Sequence, residues 1–185
     1  MAVKRVEAEK PGAGIDRPIV LVGMMGAGKT TVGRRLAARL GLPFVDADAE
    51  IEAAAGMPIA EIFARFGEPY FRDGERRVIA RLVDGPPRVI ATGGGAFCDA
   101  RTRALILERG TAVWLDADIP TLVARVGRRG HRPLLVGHDP EAVLSELAVV
   151  RNPLYAEAHL RVKSEDVPHD RTVDAILEHL GEARP

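Results

Sequence analysis

The residues with the clearest chemical purpose lie at positions 23–30, where the sequence reads GMMGAGKT and fits the pattern G-x-x-x-x-G-K-[ST]. Gly26 and Gly28 allow the backbone to curl around an anion, so that several N–H groups point at one phosphate. The next helix adds its dipole, Lys29 brings a cation to the β- and γ-phosphates, and the Thr30 hydroxyl can ligate Mg²⁺. A tight glycine turn is the alternative, but the apolar run before the motif and the helical spacing after it favour a phosphate site.

Two carboxylates, Asp46 and Asp48, follow the short apolar run at 44–45. Residues two apart on a strand point to the same side, so a strand through this segment would place both carboxylates together at the carboxyl edge of a sheet. One can face a magnesium-bound water while the other accepts hydrogen bonds from a hydroxyl substrate. The alternative is that one of them caps the next helix, and a cap and a functional role can coexist.

A further acidic candidate closes the apolar run at 112–115, where Asp116 occupies the position of the magnesium-binding acid of a motor ATPase. We favour the alternative, that Asp116 or Asp118 caps a helix starting at Pro120, because the acidic pair at 46 and 48 competes for the metal role. The chain has no N-K-x-D motif, which reads guanine in GTPases.

Side chains suited to an anionic acceptor occur in the middle of the chain. Arg72, Glu75 and Arg76 are spaced i, i+3 and i+4 in a helical stretch and share one face, so Glu75 can orient Arg72 for bidentate binding of a carboxylate. A solvated charged face explains this spacing equally well. Gly93–Gly95 follow an apolar run, and three glycines there predict a loop whose backbone approaches a ligand closely.

Arginines crowd the segment before Pro133. In a phosphoryl-transfer enzyme, a basic loop can close over the transferred phosphate, exclude water and stabilise developing charge. Arg132 is the best placed for that role, whereas Arg128 and Arg129 are expected to be solvated. Cys98 is expected to be an inert small residue, and the five histidines lack the spacing of a zinc site.

The elements that must position these residues alternate along the chain. Apolar runs predict strands at 18–22, 43–48, 88–92, 111–115 and 160–164. Helical spacing predicts helices at 30–40, 49–55, 58–66, 68–83, 99–109, 116–129, 140–158 and 171–181. Strands that alternate with helices predict an α/β fold in which a parallel sheet is covered on both faces.

Length and composition restrict the possible classes of protein. The chain has 185 residues, which fits one domain at about 150 residues per domain, and 46% of them are hydrophobic. Lys plus Arg and Asp plus Glu both number 26, so no bulk field attracts the chain to nucleic acid or to an anionic membrane. No apolar run reaches the roughly 18 residues of a membrane span.

The N-terminus and the cysteine content concern location. Residues 1–16 lack the apolar core of a secretory signal, and we interpret them as a flexible extension of a folded domain at 17–185. The single cysteine excludes a disulfide framework and fits a reducing cytoplasm.

Taken together, these residues resemble the shikimate kinase family, a small branch of the nucleoside-monophosphate-kinase-like P-loop proteins. The resemblance extends from Pro18 to Leu180 and depends on the order and spacing of motifs that are each modest alone. They are GMMGAGKTTVGRRLA at 23–37, FVDADAEIE at 44–52, F-R-x-x-E at 71–75, TGGGA at 92–96, RPLL at 132–135 and RNPLY at 151–155.

The resemblance implies a P-loop three-layer sandwich, with a five-stranded parallel sheet flanked by helices, a lid and substrate-binding helices. It implies transfer of the γ-phosphoryl group of ATP to the 3-hydroxyl of shikimate, a step towards chorismate and the aromatic amino acids. We therefore expect ATP and shikimate as small-molecule partners, Mg²⁺ as the metal, and a monomeric cytoplasmic protein that binds neither nucleic acid nor membrane.

The motifs of the resemblance also imply a role for each site residue. The nucleotide is implied to contact Gly26, Ala27, Gly28, Lys29, Thr30, Thr31, Arg125 and Arg132. Shikimate is implied to contact Asp48, Arg72, Gly93, Gly94, Gly95 and Arg151. The implied catalytic residues are Lys29, Asp48 and Arg132.

Within these sets the individual roles differ. Thr30 would bind Mg²⁺ directly and Asp46 through water, while Asp48 would orient or deprotonate the attacking hydroxyl. Arg72 and Arg151 would grip the shikimate carboxylate. Arg125 would lie against adenine, Arg132 would contact the phosphates from the lid, and the three glycines would back the shikimate ring. Many family members place a basic residue near adenine in the segment that corresponds to 164–170, and no contact is assigned there in this sequence.

Two other functions remain open at this level. A kinase for another hydroxylated metabolite, such as gluconate, fits the same fold. A nucleotide-dependent switch or assembly ATPase would bind ATP and a protein without phosphorylating a small molecule. That second function predicts that Asp116, and not Asp46, governs Mg²⁺ binding.

Overall fold

The sheet is described by a computed structural model that covers residues 14–128, 137–165 and 168–182. Its strands are β1 (Ile19–Val22), β2 (Phe44–Asp46), β3 (Val89–Ala91), β4 (Thr111–Asp116) and β5 (Leu160–Lys163). All neighbouring strands pair in parallel, in the order β2-β3-β1-β4-β5. The five-stranded parallel sheet predicted from the sequence is confirmed.

Helices connect the strands and form the outer layers. They are α1 (Lys29–Leu40), α2 (Ala47–Ala55), α3 (Ile59–Val83), α4 (Ala100–Arg109), α5 (Ile119–Arg128), α6 (Pro140–Tyr155) and α7 (His169–Glu182). The chain crosses the sheet in one direction from β1 to β2 and in the other direction from β2 back to β3. Because crossovers between parallel strands are right-handed, these two connections lie on opposite faces of the sheet. In agreement, α1 packs with α7, while α3 packs with α4. The predicted three-layer sandwich is therefore confirmed.

The core is centred on β1, which lies between β3 and β4. Every residue from Ile19 to Val22 is fully buried, as expected for an interior parallel strand with helices on both faces. Gly23 follows the last residue of β1, and α1 begins at Lys29 after the glycine-rich turn. The glycine-rich loop is thus fixed at both ends by the most buried part of the fold.

Several helix boundaries differ from the predicted ones, among them the start of α2 and the end of α6. Asp46 accepts hydrogen bonds from the backbone N–H groups of Asp48 (3.1 Å) and Ala49 (3.4 Å), so that α2 begins directly after β2. The prediction that Asp48 lies on a strand is therefore wrong, because it lies in the first turn of α2. At the other boundary, α6 ends at Tyr155, before the predicted end at 158.

The long helix α3 corresponds to two predicted helices, at 58–66 and 68–83. They join at Gly67, whose φ of 78° and ψ of 174° are not helical, so the predicted break is confirmed. Pro69 follows in the first turn of the second half, where a proline is tolerated. The second half carries the arginine and glutamate side chains of the candidate site.

No helix in the described ranges is long and apolar enough to cross a membrane. Of the extension predicted at 1–16, residues 14–16 belong to the described part and the others lie outside it. The division of the chain after residue 16 stays a prediction.

The packing of α1 against the sheet predicts opposite effects for two alanine substitutions at helical glycines. A Cβ at Gly33 would lie 2.7 Å from the Phe44 ring and 3.1 Å from Leu21. Overpacking of this kind costs about 1–3 kcal/mol, more than the roughly 1 kcal/mol that alanine gains over glycine in a helix. We expect Gly33→Ala to lower the free energy of unfolding by about 1 kcal/mol in urea denaturation.

The matched control is Gly74→Ala in α3, because a Cβ at Gly74 would meet no atom within 4 Å. Only the helix preference of alanine over glycine acts at that position, and we expect Gly74→Ala to raise the free energy of unfolding by up to about 1 kcal/mol. A stabilised Gly33→Ala protein would contradict the tight packing of α1 on β1 and β2.

Candidate active site

The glycine-rich loop between β1 and α1 has the backbone geometry that an anion site requires. Gly26 and Gly28 have φ values of 82° and 93°, which side-chain-bearing residues rarely adopt. Gly23 has a φ of 135°, and a Cβ there would lie 2.6 Å from the carbonyl oxygen of Leu115. Gly28 is the N-cap residue of α1, whose first turn contains no acidic residue, so the positive end of the helix dipole is not neutralised.

Lys29 lies within the curl of this loop. Its Nζ donates hydrogen bonds to the carbonyl oxygens of Gly23 (2.7 Å) and Met24 (2.8 Å). The loop therefore holds the ammonium group beside its own N–H groups, where a phosphate oxygen can meet both.

Thr30 and Asp46 come together at the carboxyl ends of β1 and β2. The Thr30 hydroxyl donates to Asp46 Oδ2 at 3.3 Å, while Asp46 Oδ1 caps α2. The cap therefore uses one carboxylate oxygen and leaves the other in contact with Thr30. Hydroxyl and carboxylate oxygens suit Mg²⁺, which takes few protein ligands because it keeps waters and phosphate oxygens. The described residues contain no cluster of three or more His, Cys, Asp or Glu that could hold a metal by itself.

Asp48 lies between the nucleotide loop and the three-glycine loop. A Cβ at Gly93 would lie 2.8 Å from its Oδ1, so the carboxylate lies against this glycine. Burial raises the pKa of Asp48 above its ordinary range, and the neighbouring Asp46 adds to that, whereas Lys29 and Arg72 oppose it. A buried carboxylate with a raised pKa is a better proton acceptor than an exposed one.

The next two glycines each face a guanidinium group. A Cβ at Gly94 would lie 3.3 Å from Arg151 Nη1, and one at Gly95 would lie 2.5 Å from Arg72 Nη2. Gly93–Gly95 all have negative or extended backbone φ values outside the left-handed region. At these positions the absence of a Cβ leaves room for neighbouring side chains and does not serve an unusual backbone conformation. The predicted approach to a ligand stays a prediction.

Arg72 is held in place by acidic residues of α3. Its Nη1 donates to Glu75 Oε2 at 2.6 Å and its Nε to Glu68 Oε1 at 3.3 Å. Glu75 is 1% exposed, and burial raises its pKa although Arg72 acts against this. The prediction that Glu75 orients Arg72 is confirmed, whereas Arg76 pairs with Asp73.

Arg125, from α5, binds the back of the phosphate loop. Its Nη1 lies 3.4 Å from the Gly26 carbonyl oxygen and 2.9 Å from Ser164 Oγ, and its Nη2 donates to the Glu165 carbonyl oxygen at 2.5 Å. Ser164 also donates to the Ala27 carbonyl oxygen at 2.8 Å. The end of β5 thus supports the loop, a contact for which the sequence carries no assigned residue.

Two further residues approach the nucleotide loop. The His169 ring, at the start of α7, would lie 3.5 Å from a Cβ on Gly28. Arg128 also lines the cavity, and it is exposed, as predicted for a solvated residue. The signal that could have found His169 and Ser164 is topological, because β5 ends at the same edge of the parallel sheet as β1.

Asp116 is engaged elsewhere. Its Oδ2 accepts from Arg161 Nη2 at 2.7 Å and from Lys163 Nζ at 2.6 Å. Although burial opposes ionisation, these hydrogen bonds hold the pKa of Asp116 below its ordinary value. The helix cap is Asp118, which accepts from the Thr121 N–H at 2.8 Å. The prediction that Asp116 or Asp118 caps this helix is therefore confirmed, with Asp118 as the capping residue.

A cavity of about 340 Å³ connects the nucleotide loop, the carboxylate pair and the three-glycine loop. Its walls include Gly26, Gly28, Lys29, Thr30, Thr31, Asp46, Asp48, Gly93, Gly94 and Arg125. The Ala27 side chain is buried behind the loop. Arg129, Arg132 and the following 133–135, predicted to belong to a lid, lie outside the described residues.

The chain is similar to known proteins over most of its length. A sequence model of the family described as shikimate kinase matches residues 25–181. A shikimate kinase from Novosphingobium aromaticivorans is 60% identical over 175 residues, which cover 92% of this chain and 91% of that protein. One from Caulobacter vibrioides is 62% identical over 167 residues, which cover 90% of this chain and 84% of that protein.

A solved structure shares the fold as well. The shikimate kinase from Acinetobacter baumannii in complex with shikimate superposes with a TM-score of 0.85 at 40% identity, over 91% of this chain and 94% of that chain. The order of the motifs, the arrangement of the two loops and these identities agree, and the chain belongs to the shikimate kinase family.

Proposed function

We propose that this chain phosphorylates the 3-hydroxyl of shikimate with ATP, giving shikimate 3-phosphate and ADP, by means of the residues that line the two loops. One observation carries the proposal: three consecutive glycines each lie against one of the side chains suited to the acceptor. Gly93 faces Asp48, while the other two face the guanidinium groups of Arg151 and Arg72. A carboxylate and two arginines around a flat backbone surface match a small anion that carries neighbouring hydroxyls.

The acceptor side adjoins the phosphate side. A Cβ at Gly94 would lie 3.7 Å from both the Gly23 carbonyl oxygen and the Met25 nitrogen of the nucleotide loop. Bound groups on the two loops are therefore neighbours, and phosphoryl transfer needs little beyond alignment and charge neutralisation. This proximity supports direct transfer from nucleotide to acceptor.

On the nucleotide side, we assign the phosphates to the backbone of Gly26–Thr31, with the Lys29 ammonium at the β- and γ-phosphates. Thr30 would hold Mg²⁺ directly and Asp46 through water. A bound Mg²⁺ neutralises phosphate charge. Arg125 is assigned to the nucleotide beside the loop that it braces, and Arg132 would contact the phosphates from the predicted lid.

On the acceptor side, Arg72 and Arg151 are assigned to the shikimate carboxylate, which fixes the direction of the ring. Asp48 accepts a hydrogen bond from the attacking hydroxyl and takes its proton as the new oxygen–phosphorus bond forms. The bond between the γ-phosphorus and the β–γ bridging oxygen of ATP breaks in the same transfer, and ADP leaves. The raised pKa of Asp48 suits the proton transfer near neutral pH.

The decisive experiment measures ADP production from MgATP with and without shikimate, and identifies the product by phosphorus NMR. We expect shikimate-dependent ADP release and a phosphomonoester signal, both absent from folded Lys29→Ala protein. Gluconate and other polyols in the same assay test the alternative acceptor. ADP release that shikimate leaves unchanged would favour the switch or assembly ATPase and overturn the proposal.

The monomeric state and the cytoplasmic location stay predictions from the sequence. The single cysteine is compatible with a reducing compartment. Sedimentation at micromolar concentration would test the first, and fractionation of cells would test the second.

Replacing the fork of Arg151 by an ammonium group should weaken acceptor binding selectively. Arg151→Lys keeps the charge but loses bidentate geometry, so we expect the KM for shikimate to rise at least about tenfold. The KM for ATP should change by less than about twofold. Arg109→Lys, at a surface pair with Asp84, is the matched control and should leave both constants unchanged. An unaltered shikimate KM in Arg151→Lys would remove this residue from the acceptor site.

The metal assignment distinguishes Asp46 from Asp116. Asp46→Asn keeps the oxygen that can cap α2 but removes the charge, and we expect the Mg²⁺ concentration for half-maximal activity to rise at least about tenfold. Asp116→Asn loses its hydrogen-bonded cations Arg161 and Lys163, so it should lower the melting temperature and leave the Mg²⁺ requirement unchanged. The reverse pattern would assign the metal to Asp116.

The raised pKa of Asp48 predicts that this carboxylate destabilises the fold at neutral pH. The folded state holds the proton to a higher pH than the unfolded chain, whose aspartates titrate at about 3.9. Stability contributed by the protonated group is therefore present at low pH and is lost as the pH rises through the folded pKa. Asp48→Asn cannot ionise, so we expect it to unfold at higher urea concentration than wild type at pH 7.

This advantage of Asp48→Asn should shrink as the pH falls and vanish below about pH 3.9. The measurement is urea unfolding at several pH values without Mg²⁺ or nucleotide. In a separate activity assay, the kcat of Asp48→Asn should fall at least about 100-fold because the proton acceptor is lost. Glu50→Gln on the same helix, at an exposed pair with Arg81, should give no such gain. A wild type that is more stable than Asp48→Asn at pH 7 would contradict the raised pKa of Asp48.

A further inference from the structure

Tyr155 places a phenol hydroxyl deep in the protein, close to the three-glycine loop. It is the last residue of α6 and is fully buried. Its ring packs near Phe97, with centroids 6.5 Å apart, and near Trp114, with centroids 6.0 Å apart. A buried tyrosine hydroxyl needs a hydrogen-bond partner, and the identity of that partner shows what the residue does beyond filling space.

The partner is the carbonyl oxygen of Gly94, to which Tyr155 Oη donates at 2.5 Å. Backbone groups hold the carbonyls on either side, because Gly93 O accepts from the Ala96 N–H at 3.2 Å and Gly95 O from the Cys98 N–H at 3.0 Å. The middle carbonyl is instead held by side chains, with the weak Cys98 thiol donor at 3.8 Å in addition to the phenol.

The position of Gly94 matters because this residue touches both halves of the site. A Cβ there would lie 3.3 Å from Arg151 Nη1 and 3.7 Å from the Gly23 carbonyl oxygen. The nucleotide loop has several anchors of its own, among them Lys29 and Ser164. A displaced Gly94 would therefore shift the acceptor surface and leave the phosphate surface in place.

The phenol remains a donor throughout the working pH range. Burial raises the pKa of Tyr155, although Arg151 acts in the opposite direction. A protonated hydroxyl donates its hydrogen to the carbonyl oxygen, which can only accept.

We propose that Tyr155 is a positioning residue, whose hydrogen bond to the Gly94 carbonyl fixes the acceptor surface relative to Arg151 and the nucleotide loop. The inference rests on the proposed function, since it assigns the acceptor to this surface. In this proposal Tyr155 contacts neither substrate nor nucleotide and acts through the groups that it holds, which are the Gly94 carbonyl and the Arg151 side chain hydrogen-bonded to the phenol. No other polar side chain at this carbonyl has comparable donor strength among the described residues, because a thiol at 3.8 Å is a weak donor.

The test is Tyr155→Phe, which keeps the ring between Phe97 and Trp114 and removes only the hydroxyl. We expect the KM for shikimate to rise about 5- to 30-fold, the equivalent of one buried hydrogen bond, and the KM for ATP to change less than about twofold. Calorimetry should show the same weakening of shikimate binding in the presence of ADP. Because calorimetry reports the dissociation constant of the folded molecules, a partly unfolded variant still gives an answer.

Two control variants separate positioning from stability. Cys98→Ala removes the weaker donor at the same carbonyl and should leave the shikimate KM within about twofold of wild type. Ile106→Val removes one methyl group from a fully buried site on α4, and should lower the melting temperature without changing either KM. A purely structural role for the hydroxyl would make Tyr155→Phe behave like Ile106→Val.

The outcomes also separate this inference from the proposed function. Wild-type protein that fails to phosphorylate shikimate would overturn the function and the inference with it. Active wild type together with unchanged shikimate KM and affinity in Tyr155→Phe would overturn the inference alone. A rise in the KM for ATP as large as that for shikimate would also overturn it, because the phosphate loop would then have moved too.

Discussion

The parallel pairing of β3 with β1 and β2 is the constraint on which the whole site depends. In this register Ala91 lies beside Leu21 on one side and Asp46 on the other. The three strands consequently end at one level, and the loops that follow them leave the same edge of the sheet. A phosphate loop, a helix-capping carboxylate and a glycine loop are brought together although they lie far apart in sequence. A one-residue slip of either pair would separate them.

Electrostatics then determines which groups share that edge. The N-terminus of α1 and Lys29 concentrate positive potential at the nucleotide loop, and no acidic residue in the first turn of α1 cancels it. The carboxylates of Asp46 and Asp48 lie beside this loop, and burial together with repulsion from Asp46 raises the pKa of Asp48. The buried Glu75 neutralises Arg72 without covering the guanidinium, which still reaches the glycine loop. The site therefore keeps cations for both an anionic donor and an anionic acceptor.

The sequence predicted those features whose interacting residues are close together in the chain. The nucleotide loop and the Arg72–Glu75 pair are encoded by local spacing, one by glycines before a helix and the other by a helical i, i+3 relation. The strand assignment of Asp48 failed because the side chain of Asp46 starts α2 one residue later, and capping outweighs the alternating pattern over so short a strand. The support from Ser164 and Tyr155 depends on long-range packing of β5 and α6. Tyr155 closes the RNPLY motif, but the motif does not show which group its hydroxyl contacts, and no local pattern marks Ser164.

The role of the three glycines at 93–95 depends on the side chains that lie next to them. Glycine is usually explained by a positive φ, and that explanation holds at Gly26 and Gly28. It fails at 93–95, where the backbone is outside the left-handed region and a Cβ would instead displace the ends of Asp48 and Arg72 and crowd Arg151. A loop of bare backbone has little packing of its own to fix it, so its position must come from hydrogen bonds to its carbonyls. A buried donor such as Tyr155 is therefore the counterpart that three consecutive glycines require.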